Sequence, residues 1–107
     1  MIAALRPIGA LRHRVVIERG ETGPDCAVTW VPLATVWAAI EPTSAVEAER
    51  GGGLAGVVSH RIEIRWRADV DGRARLRLGP RVFRVRAAHD LDERRNRLVI
   101  HAEEEGR

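Results

Sequence analysis

Four histidines and one cysteine are the residues of this 107-residue chain best suited to catalysis or metal binding. The histidines are dispersed along the sequence, at His13, His60, His89 and His101. None stands at the spacing from a second ligand that zinc sites use. Cys26 is the single cysteine, so an internal disulfide is excluded, and no neighbouring motif marks it as a nucleophile. The sequence therefore predicts no enzyme, no metal site and no cofactor.

Arginine is the most distinctive chemical feature. All 18 basic residues are arginine, and the net charge of +3 is unevenly distributed, at −4 over residues 21–60 and +6 over residues 61–86. Seven arginines of the positive block fall on candidate strands, mostly at polar positions: Arg61, Arg65, Arg67, Arg75, Arg77, Arg84 and Arg86. Such a face would suit phosphates or the carboxylates of a partner. The alternative is an ordinary solvated sheet face.

The elements that position these arginines are predicted from alternating apolar residues, which are typical of β-strands. Six short antiparallel strands are expected, at residues 12–18, 35–41, 61–67, 75–78, 81–88 and 98–102. In the third, Ile62, Ile64 and Trp66 share one face, and the second places Trp37 among apolar neighbours. We expect both tryptophans in the core. Turns rich in Gly and Pro separate the strands, including a loop at residues 20–25.

Residues 43–59 interrupt the β pattern. Residues 43–50 have a helical composition, and Ser44 and Glu47 have the spacing of a capping box. Three glycines, Gly51-Gly52-Gly53, would end the helix, and they lack the Lys-Ser/Thr pair of a phosphate-binding loop. The predicted fold is mainly β: a small antiparallel β-barrel of about six strands with a long, partly helical insertion between the second and third strands.

The size of the chain predicts one domain over residues 1–107. No apolar run approaches the roughly 18 residues that span a bilayer, and the first residues do not resemble a signal peptide. We therefore expect no membrane partner and synthesis in the cytoplasm.

Five stretches, in order, resemble the head–tail joining proteins of long-tailed bacteriophages and of gene transfer agents, which are also called head-closure or stopper proteins. They are Gly9-x-Leu11-Arg12-His13-Arg14-Val15-Val16-Ile17, then Trp30 with Thr35-Val36-Trp37-Ala38-Ala39-Ile40-Glu41-Pro42, His60-x-Ile62-x-Ile64-Arg65-Trp66-Arg67, Leu78-Gly79-Pro80-Arg81-Val82-Phe83-Arg84-Val85 and Leu98-x-Ile100-x-x-Glu103. No single stretch is specific, but their order spans about residues 9–103.

This resemblance implies a structural connector subunit in a virion or phage-like particle, made in the host bacterial cytoplasm. Its partners would be copies of itself in a ring of six or twelve subunits, a portal or adaptor ring on the head side, and a tail terminator or tail tube on the tail side. The ring would retain double-stranded DNA without reading its bases. The segment at 43–59 would be the channel-facing stopper loop, with candidate residues Ser44, Glu47, Arg50, Gly51, Gly52, Gly53, Leu54 and Gly56.

The seven arginines would then face neighbouring subunits or DNA. The alternative function is a small basic β-barrel module that binds nucleic acid on its own. Proteins that bind single-stranded nucleic acid usually stack the bases on aromatic rings. Few aromatic residues accompany the arginines in this sequence, which argues against this alternative.

Overall fold

Six strands make up the computed structural model, which describes residues 10–44 and 58–105. They are β1 (His13–Thr22), β2 (Val28–Ser44), β3 (Val58–Arg65), β4 (Ala74–Leu78), β5 (Arg81–Asp90) and β6 (Arg97–Glu104). All neighbouring strands are antiparallel. The prediction of a mainly β fold with six antiparallel strands is confirmed.

The strands form a ring-like sheet in the order β1-β2-β3-β6-β5-β4, and β4 pairs back to β1. Leu76 of β4 has Ile17 of β1 on one side and Phe83 of β5 on the other. The described ranges contain no α-helix, and therefore none that is long and apolar enough to cross a membrane.

The core lies inside the ring and is built from alternate residues of each strand, because successive side chains of a strand point to opposite faces. The side chains of Ile17, Ile62, Leu76, Phe83 and Ile100 are all 0% exposed. One polar ring joins them. His60 is buried and lies edge-on to Phe83, with the ring centroids 5.0 Å apart.

The hairpin between β1 and β2 is longer than the sequence predicted. The expected loop at residues 20–25 and the expected strand start at Thr35 are both wrong, because β1 continues to Thr22 and β2 begins at Val28. A tight turn suffices between them, in which the Cys26 amide donates to the Gly23 carbonyl and the Gly23 amide to the Ala27 carbonyl. Pro32 concealed the strand, since proline is unusual inside a sheet.

The predicted helix is wrong where it can be compared with the structure. Thr43 and Ser44 belong to β2, and Ser44 is the register partner of Ser59 on β3. Pairing with β3 outweighs the local capping signal, as tertiary context often overrides propensity. Residues 45–57 of the predicted insertion lie outside the described residues.

Trp37 does not lie in the core, contrary to the sequence prediction. Its side chain is 52% exposed, and the neighbouring Ala38 points inward with 0% exposure. Both positions are apolar, so alternation alone did not decide which one faces inward. Trp66 follows β3 and is partly buried against the core, which is closer to the prediction.

Leu76 provides a test of the core, because it is fully buried between the strands that close the ring. We expect Leu76→Ala to lower the free energy of unfolding by about 3 kcal/mol, through lost apolar contacts and a residual cavity. Urea denaturation measures this change. The control is Leu33→Ala at a side chain that is 39% exposed, where the loss should stay below about 1 kcal/mol. Equal losses would contradict the assignment of the core.

Candidate functional site

The seven predicted arginines lie on or just beyond three strands. Arg61 and Arg65 belong to β3, Arg75 and Arg77 to β4, and Arg84 and Arg86 to β5, whereas Arg67 follows the end of β3. Most of these arginines lie close to an acidic residue of the chain. These pairings determine whether each guanidinium can bind another molecule.

Glu18 of β1 binds two of these arginines. The Arg75 Nε donates to Glu18 Oε1 at 2.7 Å, and an Arg77 nitrogen lies 3.5 Å from Glu18 Oε2. Register explains the first contact, because Glu18 and Arg75 are partners in the β1–β4 pairing. Glu18 is only 5% exposed, and these two cations compensate for the burial of its carboxylate.

The end of β6 holds a second acidic group. Glu103 accepts two hydrogen bonds from Arg86, at 2.9 and 2.6 Å. Glu104 accepts hydrogen bonds from Nε and Nη2 of Arg81, at 2.9 and 3.0 Å. This hydrogen bonding raises the pKa of the Arg81 guanidinium. A longer ion pair of 3.8 Å joins Arg84 to Glu105. The three consecutive glutamates at residues 103–105 are thus each paired with an arginine of the sheet.

Glu63 is the most deeply buried carboxylate among the described residues, at 1% exposure, although the sequence placed it on the polar face of its strand. An Arg61 nitrogen lies 3.5 Å from Glu63 Oε1 and also 3.5 Å from Glu41. The Nε of the buried Arg97 lies 3.6 Å from Glu63 Oε2. The alternation of side chains along β3 therefore indicates the face of the sheet on which Glu63 lies, but it does not indicate the arginines that stabilise the buried carboxylate.

Arg67 is held locally rather than by another strand. Its guanidinium makes two hydrogen bonds to Asp69, at 2.9 and 2.7 Å. This bidentate contact raises the pKa of Arg67 and lowers the pKa of Asp69. Asp69 also anchors β1 to this loop, since its carbonyl accepts a hydrogen bond from Arg19 at 3.1 Å.

Trp30 is a contact residue that the sequence analysis left unassigned. The guanidinium carbons of Arg75 and Arg84 lie 4.2 and 5.3 Å from the centre of its ring. Gly20 lies opposite Trp30 in the register, and a Cβ there would approach the ring to 3.3 Å. Cation–π contacts of this kind add to the ion pairs on the same face. A glycine inside a strand often marks such a close approach, but the sequence analysis placed Gly20 in a loop, so this signal was missed.

Of the seven arginines, six therefore form ion pairs within the described chain: Arg61, Arg67, Arg75, Arg77, Arg84 and Arg86. Arg65 is exposed and forms no ion pair there. The expected positive face is consequently a mixed one, in which intramolecular carboxylates already take up most of the guanidinium groups.

The candidate stopper loop is only partly within the described residues. Ser44 ends β2, whereas Glu47, Arg50, Gly51, Gly52, Gly53, Leu54 and Gly56 lie outside them. Beside the ends of this segment is a groove of about 360 Å³ lined by Thr43, Ser59, His60, Arg86, His101, Ala102 and Glu103.

Two of the dispersed histidines meet near this groove. The rings of His89 and His101 stack with their centroids 5.5 Å apart. Partial burial lowers the pKa of His101, and the charges of His89 and Arg61 lower it further. Within residues 10–44 and 58–105, no group of three or more His, Cys, Asp or Glu side chains is placed to hold a metal ion.

Glu18 tests whether the ion pairs stabilise the sheet. Glu18→Gln would leave Arg75 without its charged partner near a buried position, so the free energy of unfolding should fall by about 1–3 kcal/mol. Chemical denaturation at pH 7 gives the value. The matched control is Glu21→Gln, at an exposed position of the same strand, which should change stability by less than about 0.5 kcal/mol. A Glu18 variant as stable as the control would contradict a stabilising role.

Comparisons with known proteins agree with this architecture. A chain from the virion of a native gene transfer agent particle is 25% identical, with 94% of this chain and 97% of that one covered and a TM-score of 0.71. The solution structure of a protein from Shigella flexneri 2a is 32% identical, with 92% and 96% covered and a TM-score of 0.64. No curated protein sequence matches significantly.

The sequence profile of the phage head completion protein family matches residues 6–105, which is nearly the whole chain. The resemblance to proteins of phages and gene transfer agents, predicted from the five ordered stretches, is confirmed by this match and by the virion chain. The prediction of a structural particle protein and not an enzyme agrees with the same family. The chain belongs to the phage head completion protein family.

Proposed function

We propose that the chain is a head–tail connector subunit of the stopper type. Six or twelve copies form a ring below the portal or adaptor, retain the packaged DNA and present a docking surface to the tail terminator or tail tube. The chain acts as one domain over residues 1–107, is made in the bacterial cytoplasm and resides in the particle. The observation that carries this proposal is the match over 94% of the chain to a protein of a gene transfer agent virion.

The ion pairs of the sheet support a building block over a free polyanion binder. Glu18, Glu63, Glu103 and Glu104 each lie within 4.0 Å of at least one guanidinium group. Phosphates would have to compete with these intramolecular carboxylates for the same donors. A connector that surrounds DNA must also release it, and a sheet whose cations are already paired meets that requirement.

The described ends of the proposed stopper loop at residues 43–59 support this assignment. Residues 45–57 connect Ser44 to Val58, and Ser44 pairs with Ser59 across the two strands. The two described positions that residues 45–57 connect are therefore adjacent in the sheet. A short turn can replace these residues without changing the pairing of β2 with β3, which makes the proposed role separable from the fold.

The loop can be tested in particles that contain a variant with residues 45–57 replaced by a short Asn-Gly turn. We expect joined heads and tails but loss of packaged DNA, because the ring would form without its channel-facing segment. Nuclease sensitivity of the packaged DNA and electron microscopy measure the two effects. The control variant Glu21→Gln changes an exposed position of β1 outside the segment and should retain the DNA. Full DNA retention by the shortened variant would contradict the stopper role.

The second candidate function, a free nucleic-acid-binding module, is favoured only by the arginines without ion pairs, such as Arg65. A gel shift of the isolated chain with double-stranded DNA separates the two functions. We expect no binding tighter than about 10 μM at 150 mM salt, because most strand guanidiniums are paired. Binding that is tight at low salt and falls about 10³-fold or more between 50 and 200 mM salt would favour the module instead.

A further inference from the structure

One edge of β2 has no strand partner within the described chain. β2 begins at Val28, but its pairing with β3 starts only at Ala38. Residues 28–37 pair with β1 alone. Their other edge therefore presents backbone N–H and C=O groups that no described strand satisfies, which is the usual template for the addition of another strand. Pro32 has no amide donor, and Leu33 has no register partner at the bulge of the β1–β2 pairing, so the regular part of this edge is residues 34–37.

A groove separates this edge from the chain that leaves β3. Its volume is about 390 Å³, and it is lined by Thr35, Val36, Trp37, Arg65, Trp66 and Arg67. The pairing of β2 with β3 ends at Ala38 and Ile64, whereas the Trp66 amide still donates to the Asn96 carbonyl next to β6, at 3.1 Å. The strands thus diverge, and a space opens along the unpaired edge.

The surface of the groove is apolar and aromatic. Trp37 is 52% exposed and Leu33 is 39% exposed, and together with Thr35 they occupy alternate, outward positions of β2. Trp66 lines the opposite side. Exposed apolar side chains beside an unpaired strand edge are a liability in a free protein, so natural proteins usually cover or pair them.

The charges at the groove are positive, and two of them lack carboxylate partners. Among the strand arginines of the described chain, only Arg14 and Arg65 form no ion pair, and both lie here. Arg14 lies over the ring of Trp37 at 5.3 Å, and Arg95 lies over Trp66 at 5.4 Å. Arg67 also lines the groove but is bound to Asp69. The local charge therefore complements an acidic partner.

We propose that this groove binds an extended segment of a partner protein, with carboxylates flanking apolar side chains, which adds as a strand beside residues 34–37. The backbone edge would hydrogen-bond the segment, Trp37 and Trp66 would pack on its apolar side chains, and Arg14 and Arg65 would bind its carboxylates. The proposal rests on the proposed function in that the partner is a second protein of the particle.

A protein segment fits these features better than double-stranded DNA does. Phosphates would satisfy the two arginines, but a duplex offers no strand to pair with the backbone edge and keeps its base faces stacked, away from Trp37. An extended peptide matches the backbone edge, the apolar wall and the charges together.

Photo-crosslinking in assembled particles tests this inference. Thr35, which is exposed at the edge, is replaced by a photo-crosslinking amino acid, and mass spectrometry identifies the crosslinked material. We expect a crosslink to an acidic, extended segment of a different particle protein. Crosslinks to DNA, to another copy of this chain, or no crosslink above background would each overturn the proposal.

Two charge-reversal variants provide the matched comparison. Arg65→Glu should lower the yield of the crosslink about tenfold, because repulsion would replace one charge-assisted contact. Arg73→Glu changes an exposed loop arginine away from the groove and should leave the yield unchanged. Equal yields from both variants would contradict recognition by charge. Immunoblotting shows separately whether the particles contain this chain, as the proposed function requires. Particles that contain the chain but give no crosslink would contradict the groove proposal and not the proposed function.

Discussion

Closure of the sheet by β4 is the constraint on which the rest of the structure depends. This strand has only five residues, yet it pairs with β1 on one side and β5 on the other. Its inward residues, Ala74 and Leu76, are 0% exposed and complete the core. Its outward residues, Arg75 and Arg77, bind Glu18 across the junction. One short strand therefore closes the sheet with apolar side chains on its inner face and with ion pairs on its outer face.

The ion pairs within the sheet change what the many arginines imply about function, because a paired guanidinium is less available to another molecule. The charge blocks of −4 and +6 first suggest surfaces that meet between molecules. In the folded chain, Glu41 of the negative block binds Arg61, but most arginines of the positive block bind carboxylates from other parts of the sequence, such as Glu18 and Glu103. Two strand arginines of the described residues, Arg14 and Arg65, remain for a partner, and they lie beside the one unpaired edge that carries an exposed tryptophan.

The strands were predictable because alternation in a half-buried sheet is a local property of the sequence. Ile62 and Ile64 face the core as their spacing indicated. Trp37 was predicted in the core, because apolar residues occupy both faces of the strand around it and alternation did not show which face is buried. The burial of Glu63 was not predicted, because it depends on arginines from other parts of the chain. Cross-strand register is not local, so the sequence showed the arginines but not their partners. The groove was hidden for the same reason, and Pro32 also concealed the first part of β2 that borders it.

The central claim is that this chain joins heads to tails and retains DNA. Electron microscopy of particles from cells that lack its gene tests that claim most directly, with a complemented strain alongside. The account predicts tails separate from heads that have lost their DNA, and restoration of joined, filled particles on complementation. Intact tailed particles that still hold DNA without this chain would contradict it.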